Sequence, residues 1–317
     1  MKFRTIPGTL CKVSEVGFSL DVLARRFQGE EKKARYLAAY ALDRGINFFE
    51  ASEGEDGWSE RILGAALRSE RERIVLSTKF EWIPASSGSP PRKTGGLRGK
   101  SPFAKALRAG CEKSLKRLGT DHIDLYQIHH PSMQAVEQED LCETMERLRR
   151  EGKIGSWGAA LGPGPGWLEE GKFLLQFRKA RALAVVYHPL EQEPGRELVR
   201  EAKRAGAGIF ARVPCFSVFI RESPFEPEAR RRRRGREKIE RLQFLVLEND
   251  RTLAQAAVQF ALSESSVICA LPDIESEAQI NEFVLIGECA PLTADELRRV
   301  ETLYENHFNL EELPALD

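Results

Sequence analysis

Three titratable side chains stand at equivalent places along the chain. Glu50, Lys79 and His129 each come directly after a short apolar run that is rich in β-forming residues. A carboxylate, an ammonium and an imidazole that lie close together can move protons to and from a bound substrate. The spacing therefore predicts an acid–base site, provided that the three runs are neighbouring strands of one sheet.

The rest of the chain favours such a sheet. Short apolar runs alternate with charged segments whose apolar residues recur at helical spacing, and this alternation is typical of a parallel sheet covered by helices. We assign strands to residues 16–20, 46–49, 73–78, 123–128, 154–160, 182–187, 208–213 and 267–271. Eight units favour closure into a barrel over an open doubly wound sheet, since no glycine-rich turn follows the first run.

The two ends of the chain carry additional elements. Short apolar stretches on either side of Pro7-Gly8 predict a β-hairpin. Thr293 and Glu296 have the spacing of a capping box and predict a final helix on the outside of the barrel. We therefore predict a single α/β domain over residues 1–317, a (β/α)8 TIM barrel with an N-terminal β-hairpin and a C-terminal helical tail.

Active sites of such barrels lie at the carboxyl ends of the strands, where Glu50, Lys79 and His129 would meet. Each residue also has a structural interpretation. Glu50 and Lys79 could form a buried ion pair that serves only the fold, and His129 could be a hydrogen-bonded core residue. The convergence of all three residues at neighbouring strand ends favours the functional interpretation.

Composition excludes several classes of partner. The 317 residues carry 48 Lys and Arg against 48 Asp and Glu, so the chain lacks the net basic charge that nucleic-acid binding needs. No apolar run approaches the roughly 18 residues of a membrane span. The six cysteines form no C-x-x-C pair, which is typical of buried thiols in a reducing compartment. We expect a cytoplasmic protein that binds a small-molecule substrate and neither nucleic acid nor a membrane.

One charged run stands out after the seventh strand. It consists of the consecutive residues Arg230, Arg231, Arg232, Arg233 and Arg234. A run of like charges is usually solvated. The alternative is an anion site, because guanidinium groups bind phosphate and carboxylate in a bidentate manner.

Further motifs surround the three titratable residues. They are Gly45-Ile-Asn-Phe-Phe-Glu50, Ser59-Glu60 with Leu63-Gly64, Ser77-Thr78-Lys79, Ser114-Leu-Lys-Arg-Leu-Gly-Thr-Asp121, Ile123-Asp-Leu-Tyr-Gln-Ile-His129 and Gly152-Lys-Ile. In these motifs and their order, the chain resembles an aldo-keto reductase. The resemblance extends from Lys2 to about Leu310.

The resemblance implies NAD(P)H-linked reduction of a carbonyl without a metal, through a tetrad of Asp, Tyr, Lys and His. In that family the tyrosine hydroxyl protonates the carbonyl oxygen as hydride arrives from the nicotinamide. Lys79 and His129 match the tetrad. Glu50 stands at the aspartate position, and Glu55 stands at the tyrosine position.

The resemblance also implies a dinucleotide site for NADP(H) or NAD(H). The corresponding positions are Ala160, Leu161, Tyr187, Arg212, Pro272 and Gln279. Ala160 and Leu161 stand where the family carries a Ser-Asn pair, and Arg212 stands where it carries a ring-stacking tyrosine. Glu275 falls near the position of the basic residue that binds the 2′-phosphate, and an acid there repels a phosphate.

Three functions fit these substitutions. In the first, which we take as the main hypothesis, the chain is an oxidoreductase in which Glu55 shares a proton with Glu50 and replaces the tyrosine. The second is a non-redox acid–base enzyme, an isomerase or lyase; a divalent ion on Glu50, Glu55, Asp56 and His129 would match no known metal-binding spacing. The third is a family member without catalysis that serves as a binding or regulatory protein.

Overall fold

The computed structural model of the protein describes residues 1–27, 29–54, 56–81, 102–162, 166–213, 226–247 and 250–310. Eight parallel strands follow one another around a single sheet in chain order. A bridge between Val16 and Ala270 joins the first strand of the sheet to the last, and the Gly17 amide donates to the Ala270 carbonyl at 2.9 Å. The predicted (β/α)8 barrel is confirmed.

The strands are β1 Phe3–Thr5, β2 Lys12–Ser14, β3 Phe18–Ser19, β4 Phe48–Glu50, β5 Val75–Glu81, β6 Ile123–His129, β7 Ile154–Ala160, β8 Ala182–Val186, β9 Gly208–Val213 and β10 Val267–Pro272. The α-helices are α1 Leu20–Arg26, α2 Glu31–Asp43, α3 Trp58–Leu67, α4 Pro102–Leu118, α5 Met133–Val136, α6 Asp140–Arg150, α7 Trp167–Gln176, α8 Gly195–Ala205, α9 Glu226–Arg241, α10 Leu253–Leu262, α11 Glu277–Val284 and α12 Ala294–Glu305. No described helix is both long and apolar enough to cross a membrane.

The predicted hairpin closes one end of the barrel. Strands β1 and β2 pair antiparallel, and Arg4 of β1 donates to the Val267 carbonyl at 2.6 Å and to the Leu262 carbonyl at 2.9 Å. The barrel interior is apolar at this end, where the rings of Phe48 and Phe210 stack with centroids 4.5 Å apart. Polar side chains therefore find room at the opposite end, where the strands terminate at their carboxyl ends.

The predicted capping box of the C-terminal helix is confirmed. The Thr293 side chain accepts from the Glu296 amide, and the Glu296 side chain accepts from the Thr293 amide. These bonds satisfy two donors that a helix N-terminus otherwise leaves unpaired.

Three helices differ from the sequence-based prediction. Helix α1 was predicted partly as strand, but β3 is only two residues long and the chain turns into helix at Leu20. The Gly-Pro-rich residues 162–166 predict a loop and no helix after it, whereas helix α7 starts directly after Gly166, which lies in the left-handed region at φ +91°. Apolar spacing predicts a helix from Lys238, whereas helix α9 begins twelve residues earlier, so the arginine run lies within a helix.

His188 follows β8 and is buried in the structure, with 1% of its surface exposed. Its Nδ1 accepts from the Leu190 amide at 3.4 Å. Burial, with a smaller effect from the Lys238 charge, lowers the pKa of His188 to about 4. The imidazole is therefore neutral in the folded protein at pH 7.

We predict that His188 makes stability depend on pH. Its pKa is lower in the folded state than the reference value of about 6.5, so its contribution is complete above that pH and is lost as pH falls towards 4. The free energy of unfolding, measured in urea, should therefore fall more steeply with decreasing pH in wild type than in His188→Asn. The two slopes should differ by at most about 1.4 kcal/mol per pH unit. His307→Asn, which removes an exposed imidazole, is the control. Equal slopes in wild type and His188→Asn would contradict this account.

Candidate active site

Lys79 lies at the centre of a charged cluster at the carboxyl ends of the first strands. Its Nζ is 2.6 Å from Glu50 Oε1 and 2.7 Å from Asp21 Oδ2. The Lys79 and Glu50 side chains are each 3% exposed, and that of Asp21 is 22% exposed. One buried ammonium thus faces two carboxylates, which come from β4 and from the first turn of α1.

Glu50 is held by neighbours on three strands. Gln127 Nε2 donates to Glu50 Oε2 at 3.1 Å and to Ser77 Oγ at 2.9 Å. Ser19 Oγ lies 3.5 Å from Glu50 Oε1. The sheet register explains this arrangement, because Glu50 pairs with Ser77 and Lys79 pairs with Gln127 across neighbouring parallel strands. The Glu50 side chain is one methylene longer than an aspartate, and it fits here with polar contacts to both of its carboxylate oxygens.

Asp21 is the site residue that the sequence analysis missed. Its Oδ1 accepts from Ser52 Oγ at 2.7 Å and from Ser59 Oγ at 3.0 Å, while Oδ2 faces Lys79. Burial alone would raise the pKa of Asp21, but the Lys79 charge and these hydrogen bonds outweigh it and lower the pKa below its usual value. Asp21 is therefore ionised at neutral pH.

A signal for Asp21 was present in the sequence. It is an acid directly after the apolar run 16–20, in the same place as Glu50, Lys79 and His129 after their runs. The sequence does not show that the chain turns into helix at Leu20 and brings Asp21 to Lys79.

His129 ends β6 and is neutral. Its ring lies against that of His130, with centroids 3.9 Å apart. Burial lowers the pKa of His129 to about 3, with further effects from Lys79, His130 and Arg212. Burial and the same two cations, Arg212 and Lys79, also lower the pKa of His130, whose backbone has φ of +43°. The imidazole of His129 can thus donate one N–H as a neutral group, but it cannot act as an imidazolium at pH 7.

Glu55 lies outside the described residues, and the segments on either side of it are held in place. The Glu53 amide donates to the Lys79 carbonyl at 3.2 Å. Arg117 pairs with both Glu53 and the buried Glu60, at 3.3 and 2.5 Å. Gly57 has φ of +69°, and a Cβ there would lie 2.4 Å from Arg117 Cδ, so only glycine leaves room for this guanidinium. The β4–α3 connection is therefore tied to the strand that carries Lys79.

The positions expected to bind the dinucleotide differ in what they offer. Ala160 and Leu161 are buried and have no polar side-chain atoms, and the Leu161 amide already donates to the Ala184 carbonyl at 2.8 Å. Tyr187 is buried and packs on Phe260, with ring centroids 5.3 Å apart. Ala160 and Leu161 therefore supply no side-chain donor to a nicotinamide.

The remaining positions lie on β9 and after β10. Arg212 Nη2 is buried and has no hydrogen-bond partner among the described residues. Pro272 ends β10, and Gln279 Oε1 accepts from the Glu275 amide at 2.7 Å. A buried N–H without a partner is costly, so Arg212 fits an anionic or carbonyl group of a bound ligand.

The described part of the chain holds no group of three or more His, Cys, Asp or Glu side chains that could bind a metal ion. The side chains of Arg230, Arg231 and Arg232 lie outside the described residues. Arg233 is exposed and pairs with Glu237 at 3.1 Å on the same helix. The anion site on the arginine run remains a prediction.

Residues 23–305 match the model of the Aldo/keto reductase family. The chain belongs to this family. YqkF, an uncharacterized oxidoreductase of Bacillus subtilis, is 22% identical over 315 residues, which cover 95% of this chain and 96% of that protein. The methylglyoxal reductase YeaE of Escherichia coli is 32% identical over 139 residues, 42% of each chain. The holo form of the aldo-keto reductase AKR11C1 from Bacillus halodurans superposes with a TM-score of 0.74 and 25% identity over 96% of both chains.

We predict that Lys79 is required for stability. Lys79→Met should lower the free energy of unfolding by about 3–5 kcal/mol, because it leaves buried carboxylates without their counter-charge. Urea unfolding measures this loss. Arg73→Ala, which breaks an exposed pair with Glu70, is the control and should cost about 0–1 kcal/mol. A loss in Lys79→Met as small as that of the control would contradict the assignment of a buried ion-pair cluster.

Proposed function

We propose that this member of the aldo/keto reductase family reduces the carbonyl group of a small molecule with NADPH or NADH, at a site formed by Glu50, Glu55, Lys79 and His129. The observation that carries the proposal is the buried Lys79–Glu50 pair beside a neutral imidazole at the carboxyl ends of β4, β5 and β6. Lys79 and His129 match the family tetrad, and Glu50 keeps the negative charge of its aspartate.

Each described residue has a role that follows from its environment. The neutral His129 donates an N–H to the carbonyl oxygen and so stabilises the negative charge that develops there. Glu50 holds Lys79, and Gln127 in turn holds Glu50. The low exposure of Lys79 and Glu50 keeps water from screening these charges. Glu55 stands where the family carries its proton donor.

The dinucleotide would supply the hydride when bound. Arg212 suits such a ligand because its buried Nη2 has no described partner. Related structures carry this ligand: an aldo/keto reductase from Klebsiella pneumoniae was solved in complex with NADP and acetate. The side chains of Ala160 and Leu161 contribute only apolar surface, so we expect weaker dinucleotide binding than a polar Ser-Asn pair would provide.

The proposal is tested first by binding and then by turnover. Quenching of the fluorescence of the four tryptophans should report binding of NADPH or NADH. Lys79→Met should then lower kcat/KM for a simple aldehyde by about 10²–10⁴-fold while the dinucleotide still binds. Arg73→Ala, far from the cluster, serves as the control. If neither dinucleotide binds to wild type, the proposed function is wrong.

A second candidate function is supported by Glu55, which stands at the position of the family's proton-donating tyrosine. In this alternative the protein binds a dinucleotide as a regulatory member and reduces nothing. It predicts saturable binding without turnover of any aldehyde or ketone in wild type. In that case Glu55→Tyr should produce turnover, because it restores a phenol at the family position.

A further inference from the structure

We propose that the Lys79 ammonium itself is the proton donor to the substrate's carbonyl oxygen, and that Asp21 is the residue that positions it. This inference rests on the proposed function. It concerns which group of the chain supplies the proton, and it assigns a role to a side chain outside the family tetrad.

The geometry at Lys79 leaves a hydrogen available. The ammonium donates to Asp21 Oδ2 at 2.7 Å and contacts Glu50 Oε1 at 2.6 Å. An ammonium has three N–H bonds. In the part of the chain that the structure describes, no further acceptor contacts Nζ, so one N–H is free for a substrate oxygen. The two carboxylates lie on different elements, α1 and β4, and together they fix the direction of the ammonium.

Three other described groups near Lys79 are not placed or protonated to donate at neutral pH, namely His129, Asp21 and Tyr126. Burial lowers the pKa of His129 to about 3, so the imidazolium is not populated. Burial would raise the pKa of Asp21, but the Lys79 charge outweighs burial and lowers that pKa, so the carboxyl group is ionised. Tyr126, on β6, is fully buried, and its hydroxyl lies 3.5 Å from the Leu107 carbonyl on α4, away from the cluster.

A lysine ammonium is chemically suited to replace a phenol. In model peptides the two groups are acids of similar strength, with pKa values of roughly 10. Proton transfer from either group to an alkoxide is favourable.

The charges around Lys79 come from four elements. Asp21 on α1 and Glu50 on β4 are in contact with Nζ. His129 ends β6, His130 follows that strand, and Arg212 lies on β9. Burial and then the Lys79 and Arg212 charges lower the pKa values of the two histidines. The two groups in contact with Nζ are both carboxylates, so removal of either leaves Lys79 with one contacting counter-charge. Removal of either anion should make the amine lose its proton at lower pH.

The bound dinucleotide would supply a hydride to the carbonyl carbon, and the π electrons of the C=O bond would then move onto oxygen. A Lys79 N–H bond breaks, and the new O–H bond of the alcohol forms with that proton. Lys79 is left as a neutral amine and regains a proton from solvent.

Asp21→Asn tests the proposal, because asparagine keeps the shape and can still accept from Ser52 and Ser59. Reduction requires protonated Lys79, so kcat falls as pH rises through the alkaline limb of its profile. In Asp21→Asn this limb should move to lower pH by about one unit or more. In Asp21→Glu the limb should return to its wild-type pH. In Asp43→Asn, which removes an exposed carboxylate at the end of α2, the limb should stay at its wild-type pH.

A second readout does not depend on activity. In protein labelled with ¹⁵N-lysine and free of dinucleotide, the Lys79 side-chain signal is identified by its loss in Lys79→Arg. It should lose its proton at lower pH in Asp21→Asn than in wild type. Circular dichroism and urea unfolding establish that each variant is folded before it is compared.

The outcomes separate the inference from the proposed function. Parallel shifts of the kinetic limb and the NMR titration in Asp21→Asn support Lys79 as the donor. If wild type reduces aldehydes, and the alkaline limb of the kcat profile moves in Glu55→Gln but not in Asp21→Asn, then Glu55 is the donor and the inference is wrong. If Asp21→Asn changes neither readout, Asp21 does not position Lys79. If wild type reduces no carbonyl, the proposed function fails, and the donor role fails with it.

Discussion

The need to neutralise one buried ammonium organises the functional end of this barrel. Lys79 is almost without contact with water, and an ammonium in that position is tolerated only with counter-charges and hydrogen bonds around it. The chain supplies them from β4 and from helix α1, and each carboxylate is in turn held by polar side chains of neighbouring elements. The first three units of the barrel are thereby connected through a single nitrogen atom.

The other end of the barrel explains why this cluster lies where it does. Stacked aromatic rings and aliphatic side chains fill the interior near the hairpin, and Arg4 fastens that hairpin to the start of β10. A filled apolar interior leaves no room for charge. Polar groups that point into the barrel can therefore exist only towards the carboxyl ends of the strands, where solvent and ligands enter.

Much of this arrangement could be predicted from the sequence, for an identifiable reason. Glu50, Lys79 and His129 stand at the ends of apolar runs, and parallel strands bring their equivalent ends together. Asp21 also follows an apolar run, but the start of helix α1 at Leu20 has no sequence signal, since its N-cap Ser19 makes no side-chain capping bond. Helix α7 was hidden by glycines and prolines, which mark the loop before it but say nothing about the helix after it. Ion-pair partners depend on tertiary distances, and no local pattern encodes the contact between positions 21 and 79.

The shortness of β3 has a consequence for the order in which the molecule opens. This strand pairs with β4 at only two positions and meets β10 through one bridge, whereas β5 pairs with β6 at five positions. The junction of β3 with β4 and β10 therefore has the fewest backbone pairings in the barrel. Local opening costs the least free energy where few backbone hydrogen bonds must break. Helix α1 directly follows β3 and carries Asp21 in its first turn. On heating, β3 should separate from its neighbours while the other strands are still paired, and Asp21 should then leave Lys79. The site should therefore lose its geometry at a lower temperature than the one at which the whole fold unfolds.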